Sequence, residues 1–146
     1  MAGDDLIRKV ADELEIRNLI GKLSCASDEG TPEEYGALFV EDAVWRMGQV
    51  AGAPKIFPPI YGREAILAGV KERRAIGIGG PGSHTRHGVY QSVVEVDGDT
   101  AKARSYVGFF VELDKAPKAQ LFAVYQDAFV RTPDGWKLSA REIEPS

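Results

Sequence analysis

The sequence predicts an α+β domain: a strongly curved, mixed or antiparallel sheet forms a cone around three helices, with an apolar interior and one open mouth. Two observations carry this. Helix-period patterning is confined to the first half of the chain, where apolar residues recur every three or four positions. The second half is a series of long alternating segments joined by turn signals, a meander rather than a β–α–β alternation. A chain of 146 residues that is 44% hydrophobic and 27% charged suffices for one domain, taken as 1–146, with a real core.

In order, Leu6, Ile7, Val10, Ala11, Leu14, Ile16, Leu19, Ile20, Leu23 and Ala26 mark a long amphipathic helix. Asp4 or Asp5 is its expected N-cap and Gly30 its stop. Thr31-Pro32-Glu33-Glu34 then starts a short helix, with Thr31 as cap, Pro32 in the first turn and Glu34 closing a capping box. Tyr35, Leu38 and Phe39 are expected on its buried side, and Ala43–Met47 reads as a first strand. Gln49–Tyr61 is an apolar loop carrying Pro54, Pro58 and Pro59, suited either to cover a pocket or interface or to pack on its own core. Gly62-Arg63-Glu64-Ala65-Ile66-Leu67 opens a third helix running to about Ala75.

Four long strands follow: His84–Val96, Thr100–Leu113, Gln120–Arg131 and Trp136–Glu144. Asp97-Gly98-Asp99 and Thr132-Pro133-Asp134-Gly135 supply turns, and Asp114–Lys118 a connection. The second strand alternates around Ala101, Ala103, Ser105, Val107, Phe109 and Val111.

Composition excludes several classes. The net charge is −4, and no basic stripe with interleaved aromatics suggests nucleic acid. No apolar run approaches a bilayer span, and the acidic start Met1-Ala2-Gly3-Asp4-Asp5 lacks a signal-peptide core. A single cysteine, Cys25, excludes an intrachain disulfide, so the cytoplasm is the expected compartment. Cys25 itself reads as a small buried residue.

Proton chemistry near neutral pH concentrates in Ser83-His84-Thr85-Arg86-His87, which holds both histidines of the chain and follows a glycine-rich run. Three positions apart on a strand, His84 and His87 point to opposite faces unless a bulge intervenes. One metal shared between them is therefore not expected, and no further His or Cys cluster would complete a site. Arg86 is expected to pair with a surface carboxylate. Trp45, Phe57, Tyr90, Tyr106, Phe109, Phe110, Phe122 and Tyr125 supply enough aromatic surface to line a pocket, although aromatics fill interiors in any case. Trp45, Phe57, Tyr106, Phe109 and Tyr125 are the substrate-contact candidates, with Tyr106 or Tyr125 as hydrogen-bond donor.

The order Leu38-Phe39-x-x-Asp42-Ala43, Trp45, Gly62-Arg63-Glu64-Ala65-Ile66, Thr85-Arg86-His87, Val96-Asp97-Gly98-Asp99-Thr100-Ala101 and Asp134-Gly135-Trp136-Lys137-Leu138 spans nearly the whole chain. It resembles the SnoaL-like branch of the nuclear transport factor 2-like superfamily, near scytalone dehydratase and hexachlorocyclohexane dehydrochlorinase. The resemblance implies a cystatin-like α+β barrel. It also implies a carboxylate ending the first helix paired with a histidine opening the strand after the third, positions held here by Asp28 and His87. Such a pair would make His87 a general base oriented by Asp28. By themselves, Asp28 reads as a helix-end carboxylate or the cap of the following helix, and His87 as a hydrogen-bonded core histidine.

The sequence departs from those relatives as well. Ser27 precedes Asp28 where scytalone dehydratase has a tyrosine, its second pocket histidine has no counterpart, and Lys22 does not align with the dehydrochlorinase lysine. The expectation is a small cofactor-independent lyase, dehydratase-like, acting on a hydrophobic cyclic or aromatic small molecule. The alternatives are an isomerase or polyketide-type cyclase using the same pair, and a non-catalytic binding or assembly subunit in which Asp28 and His87 do not meet. No cofactor or metal, no nucleic acid or membrane partner, and a homodimer or homotrimer are expected.

Overall fold

The computed structural model describes residues 2–53 and 56–146; Pro54 of the apolar loop lies outside them. Helix α1 (Ala2–Glu29), α2 (Pro32–Gly36), β1 (Phe39–Met47), β2 (Ile60–Tyr61), α3 (Arg63–Ala75), β3 (Arg86–Asp97), β4 (Thr100–Val111), β5 (Lys118–Thr132) and β6 (Gly135–Pro145) follow in order. The strands form one sheet in the order β2-β1-β6-β5-β4-β3. It is curved but unclosed, with β2 and β3 at its edges. β3 to β6 are the antiparallel meander read from the sequence, whereas β1 adds parallel to β6.

The core forms where α1 crosses the concave face. Ile16, Leu19, Ile20 and Leu23 pack with Tyr35, Phe39, Ala43, Ile66, Val70, Phe129, Trp136 and Leu138. Burying each large apolar side chain contributes roughly 1.5–3 kcal/mol, so this cluster fixes the helix on the sheet. Opposite it, the short side chains of Ala101 and Ala103 leave room for the helix. The expected inward alternation of β4 holds through Val107.

Several details differ from the reading of the sequence. Helix α1 begins at Ala2, so Asp4 and Asp5 lie in its first turn rather than at a cap. Leu6, Ile7, Val10 and Leu14 stay exposed, because the helix overhangs the sheet and is buried only from Asp12 onward. Phe39 belongs to β1, not to α2, where it starts the strand and is fully buried. Cys25 is exposed rather than buried. The capping box at Thr31 and Glu34 forms as its residues require.

Asp12 ties α1 to the far end of the sheet. Both its oxygens accept from Arg131, at 2.8 and 2.7 Å, and Trp136 Nε1 donates to it at 3.0 Å. Arg131 also reaches Asp99 in the β3–β4 turn. Hydrogen bonds from Arg131 hold the Asp12 carboxyl below its ordinary range, against the upward push of burial.

Candidate active site

A cavity of about 400 Å³ opens between the concave face, the end of α1, α3 and the apolar loop. It is lined mainly by apolar and aromatic groups, among them Trp45, Phe57, Phe109, Leu121 and Tyr125. That volume is at the small end of the roughly 300–1,000 Å³ usual for small-molecule sites.

His87 reaches this cavity because of a local irregularity. In unbroken alternation His87 and Val89 would face one side of β3, and Val94 and Val96 the other. The register shifts between Val89 and Gln91, leaving Tyr90 as an extra residue, so all four face inward. His87 stands opposite Phe109, with ring centroids 4.7 Å apart.

Asp28 comes from the last turn of α1. Its Oδ1 lies 2.7 Å from His87 Nδ1, and its Oδ2 accepts the His87 backbone N–H at 2.9 Å. The carboxylate is buried, while a quarter of the imidazole remains accessible, 6% against 26% by side chain. A carboxylate only accepts, so Nδ1 carries the hydrogen and Nε2 is left with a lone pair. Nε2 has no hydrogen-bond partner among the described residues.

A negative group at a helix C-terminus is unfavourable, and α1 has no basic residue in its own last turn. Arg74 of α3 compensates. Its guanidinium donates to the carbonyls of Gly30 at 2.7 Å, Ser27 at 3.0 Å and Ala26 at 3.2 Å. The Asp28 end of α1 is thereby fixed to α3.

A second buried pair forms the floor. Arg141 on β6 donates to Asp127 on β5 through Nε at 2.7 Å and Nη2 at 2.8 Å. Burial opposes the Arg141 charge, but the Asp127 carboxylate outweighs it and raises the Arg141 pKa above its ordinary value. The Tyr125 ring lies 3.9 Å from the Arg141 guanidinium carbon. Burial pushes the Tyr125 phenol up to about 12 and raises that of Tyr35 as well, so both stay protonated near pH 7. Arg141 Nη1 and the two phenol oxygens have no hydrogen-bond partner among the described residues, and all three residues line the cavity.

The structure therefore joins Asp28 to His87 and places Trp45, Phe57, Phe109 and Tyr125 around them. Tyr106 is a correction: the alternation of β4 sends it to the outer face, half exposed, beside Arg104 and away from the cavity. His84 precedes β3 in a left-handed backbone conformation, exposed and 3.9 Å from Asp114, so it leaves the site by a turn rather than by strand alternation. Arg86 pairs with Glu29 at 3.2 Å. Among the described residues no group of three or more His, Cys, Asp or Glu could hold a metal.

Sequence reasoning missed Arg141, Asp127 and Tyr35. A signal existed for the first two: each is a charged residue at an inward position of its strand, between Tyr125 and Phe129 on β5 and beside Ile143 on β6.

A curved, unclosed sheet enclosing helices, with a carboxylate–imidazole pair at an apolar cavity, defines a cystatin-like α+β protein of the nuclear transport factor 2-like class. Within it, the chain belongs to the SnoaL-like domain family, whose model matches residues 8–142. It is 28% identical over 138 residues to an uncharacterised protein of Mycobacterium tuberculosis, covering 92% of this chain and 86% of that one. A nuclear transport factor 2-like protein with a cystatin-like fold from Novosphingobium aromaticivorans superposes with a TM-score of 0.80 at 28% identity, over 96% of this chain and 85% of that one. A Mycobacterium tuberculosis protein of unknown function shares the fold at 20% identity and a TM-score of 0.76, over 97% and 75%. Among the described residues no helix is long and apolar enough to cross a membrane.

Proposed function

We propose that this protein is a small cofactor-independent lyase of the dehydratase type, acting on a hydrophobic cyclic or aromatic carbonyl compound. The observation that carries the reading is the 2.7 Å bond between His87 Nδ1 and a buried Asp28, beside an apolar cavity. A non-catalytic module gives no reason for these groups to meet.

His87 Nε2 takes a proton from the carbon next to the carbonyl, and Asp28 stabilises the resulting imidazolium. The C–H electron pair moves onto the carbonyl oxygen as an enolate. Arg141 Nη1 and the phenols of Tyr125 and Tyr35 supply donors for that charge, where a low dielectric makes each contact count for more. As the carbonyl re-forms, the C–O bond on the next carbon breaks. The imidazolium returns its proton to the departing hydroxide, giving water and an unsaturated product. Isomerisation and cyclisation share the first step, which makes them the runner-up.

That shared step can be tested without the natural substrate. In D2O, the protein should exchange the α-protons of 2-tetralone faster than buffer alone, followed by proton NMR. His87→Ala should return the rate to the buffer value while the far-ultraviolet dichroism stays native. Equal exchange by the two proteins would remove His87 as the base.

A further inference from the structure

The cavity has a charge pattern that the acid–base pair does not use. Its lining contains Arg73, Arg74, Arg141 and His87, and no aspartate or glutamate among the described residues, in a chain whose net charge is −4. Two of the three arginines are already engaged. Arg74 is spent on the carbonyls ending α1, and Arg141 pairs with Asp127 and keeps only Nη1 for the cavity.

Arg73 has no hydrogen bond or ion pair among the described residues. Its one polar contact is its guanidinium carbon 6.0 Å from the centre of the Trp45 ring. A side chain at Gly69, one turn earlier on α3, would come within 3.3 Å of Arg73 Nη1. Glycine inside a helix costs about 1 kcal/mol relative to alanine, and here it leaves the guanidinium a few tenths of an ångström more room. The Arg73 charge also reaches inside, since it acts on the buried Tyr35 phenol together with Arg141.

Strand order gives the cavity a direction. Trp45 on β1 pairs with Arg141 on β6, then come Tyr125 on β5, Phe109 on β4 and His87 on β3. Arg73 with Trp45 therefore stands at one side of the cavity and His87 with Phe109 at the other.

We propose that the substrate carries a carboxylate, held at the mouth by Arg73 over the Trp45 ring, with its reacting carbon under His87. This deepens the lyase reading and rests on it for the position of the reacting carbon, but the charge preference stands on the lining alone. An arginine fork matches a planar carboxylate with two parallel hydrogen bonds, and an unengaged guanidinium loses no existing partner on binding.

The test is a binding comparison by isothermal titration calorimetry at pH 7.5, using cinnamate and its neutral isostere cinnamamide. The wild-type protein should prefer cinnamate by about tenfold, the affinity equivalent of about 1.4 kcal/mol. Arg73→Gln should abolish the preference while leaving cinnamamide affinity unchanged, and Arg73→Lys should retain part of it. Asp28→Asn should keep the full preference, so a failure of the acid–base reading and a failure of this one give different patterns. Equal affinities for the two probes, a preference that survives in Arg73→Gln, or no binding of either at millimolar concentration would each overturn the proposal.

Discussion

At the scale of single residues, the two oxygens of Asp28 do different work, and this makes one substitution unusually informative. Oδ2 holds the backbone N–H of His87 while Oδ1 faces Nδ1. In Asp28→Asn the amide oxygen must take the backbone N–H, so its NH2 faces the ring. Nδ1 then becomes an acceptor and the hydrogen moves to Nε2. The shape survives but the base becomes a donor. Activity should fall on the order of 10⁴-fold, the size of the loss when the orienting aspartate of a serine-protease triad is made asparagine. Nitrogen NMR of His87 should report the opposite tautomer, and an unchanged tautomer would sink the mechanism. Asp28 and His87 were legible through the family resemblance, which points to the end of the long first helix and the start of the strand after the third; alone they read as a helix-end carboxylate and a core histidine. Arg141 and Tyr35 were not. Their importance lies in unpaired donors aimed into one cavity, which depends on side-chain direction and on what Asp127 already occupies.

At the scale of elements, capping residues, turn signals and alternation placed the helices and long strands within a few positions. What escaped were pairings that local pattern does not encode. β2 is a two-residue strand whose pairing is with β1, and β1 lies parallel to β6, with Trp45 beside Arg141 from the far end of the chain. The Asp12–Arg131 link is of the same kind, joining positions 119 residues apart. Because the folded Asp12 pKa is depressed, this link contributes stability above the unfolded value of about 3.9 and loses it as pH falls through the folded value. Asp12→Asn should therefore lower stability at pH 7 by roughly 2 kcal/mol, since it leaves Arg131 with a weaker partner. That corresponds to a melting temperature lower by about 4–8 °C for a chain of this size. Below about pH 4 the gap should begin to narrow, closing as pH falls through the folded value, because protonation removes in the wild type what the substitution removes at any pH. A gap that stays constant from pH 7 to pH 3 in thermal melts would assign the effect to packing instead.

At the scale of the whole molecule, one sheet serves two purposes on its two faces. The concave face builds the cavity, and the same alternation sends Tyr106, Phe122 and Val93 outward, all more than half exposed. These residues are continuous with Tyr90, whose hydroxyl lies where a side chain on Gly108 would stand, and with Phe110, edge-to-face on Phe122 at 6.3 Å. Gly88 and Gly108 face each other across β3 and β4 beneath that ring, so the patch is a laid aromatic surface rather than scattered residues. Isolated apolar side chains are normal on a surface, but a contiguous aromatic strip on the outer face of a sheet favours burial against a partner. The expected partner is another copy of this chain, because a two- or threefold contact lets one strip cover itself. Light scattering at micromolar concentration should give two or three times 15.9 kDa. Phe122→Glu, which places a charge at the centre of the strip, should reduce the mass to that of one chain without moving the dichroism spectrum. It should also leave cinnamate binding intact, since Phe122 points away from the cavity that holds His87. A wild-type protein that runs as a single chain would show that the strip is not a self-association surface.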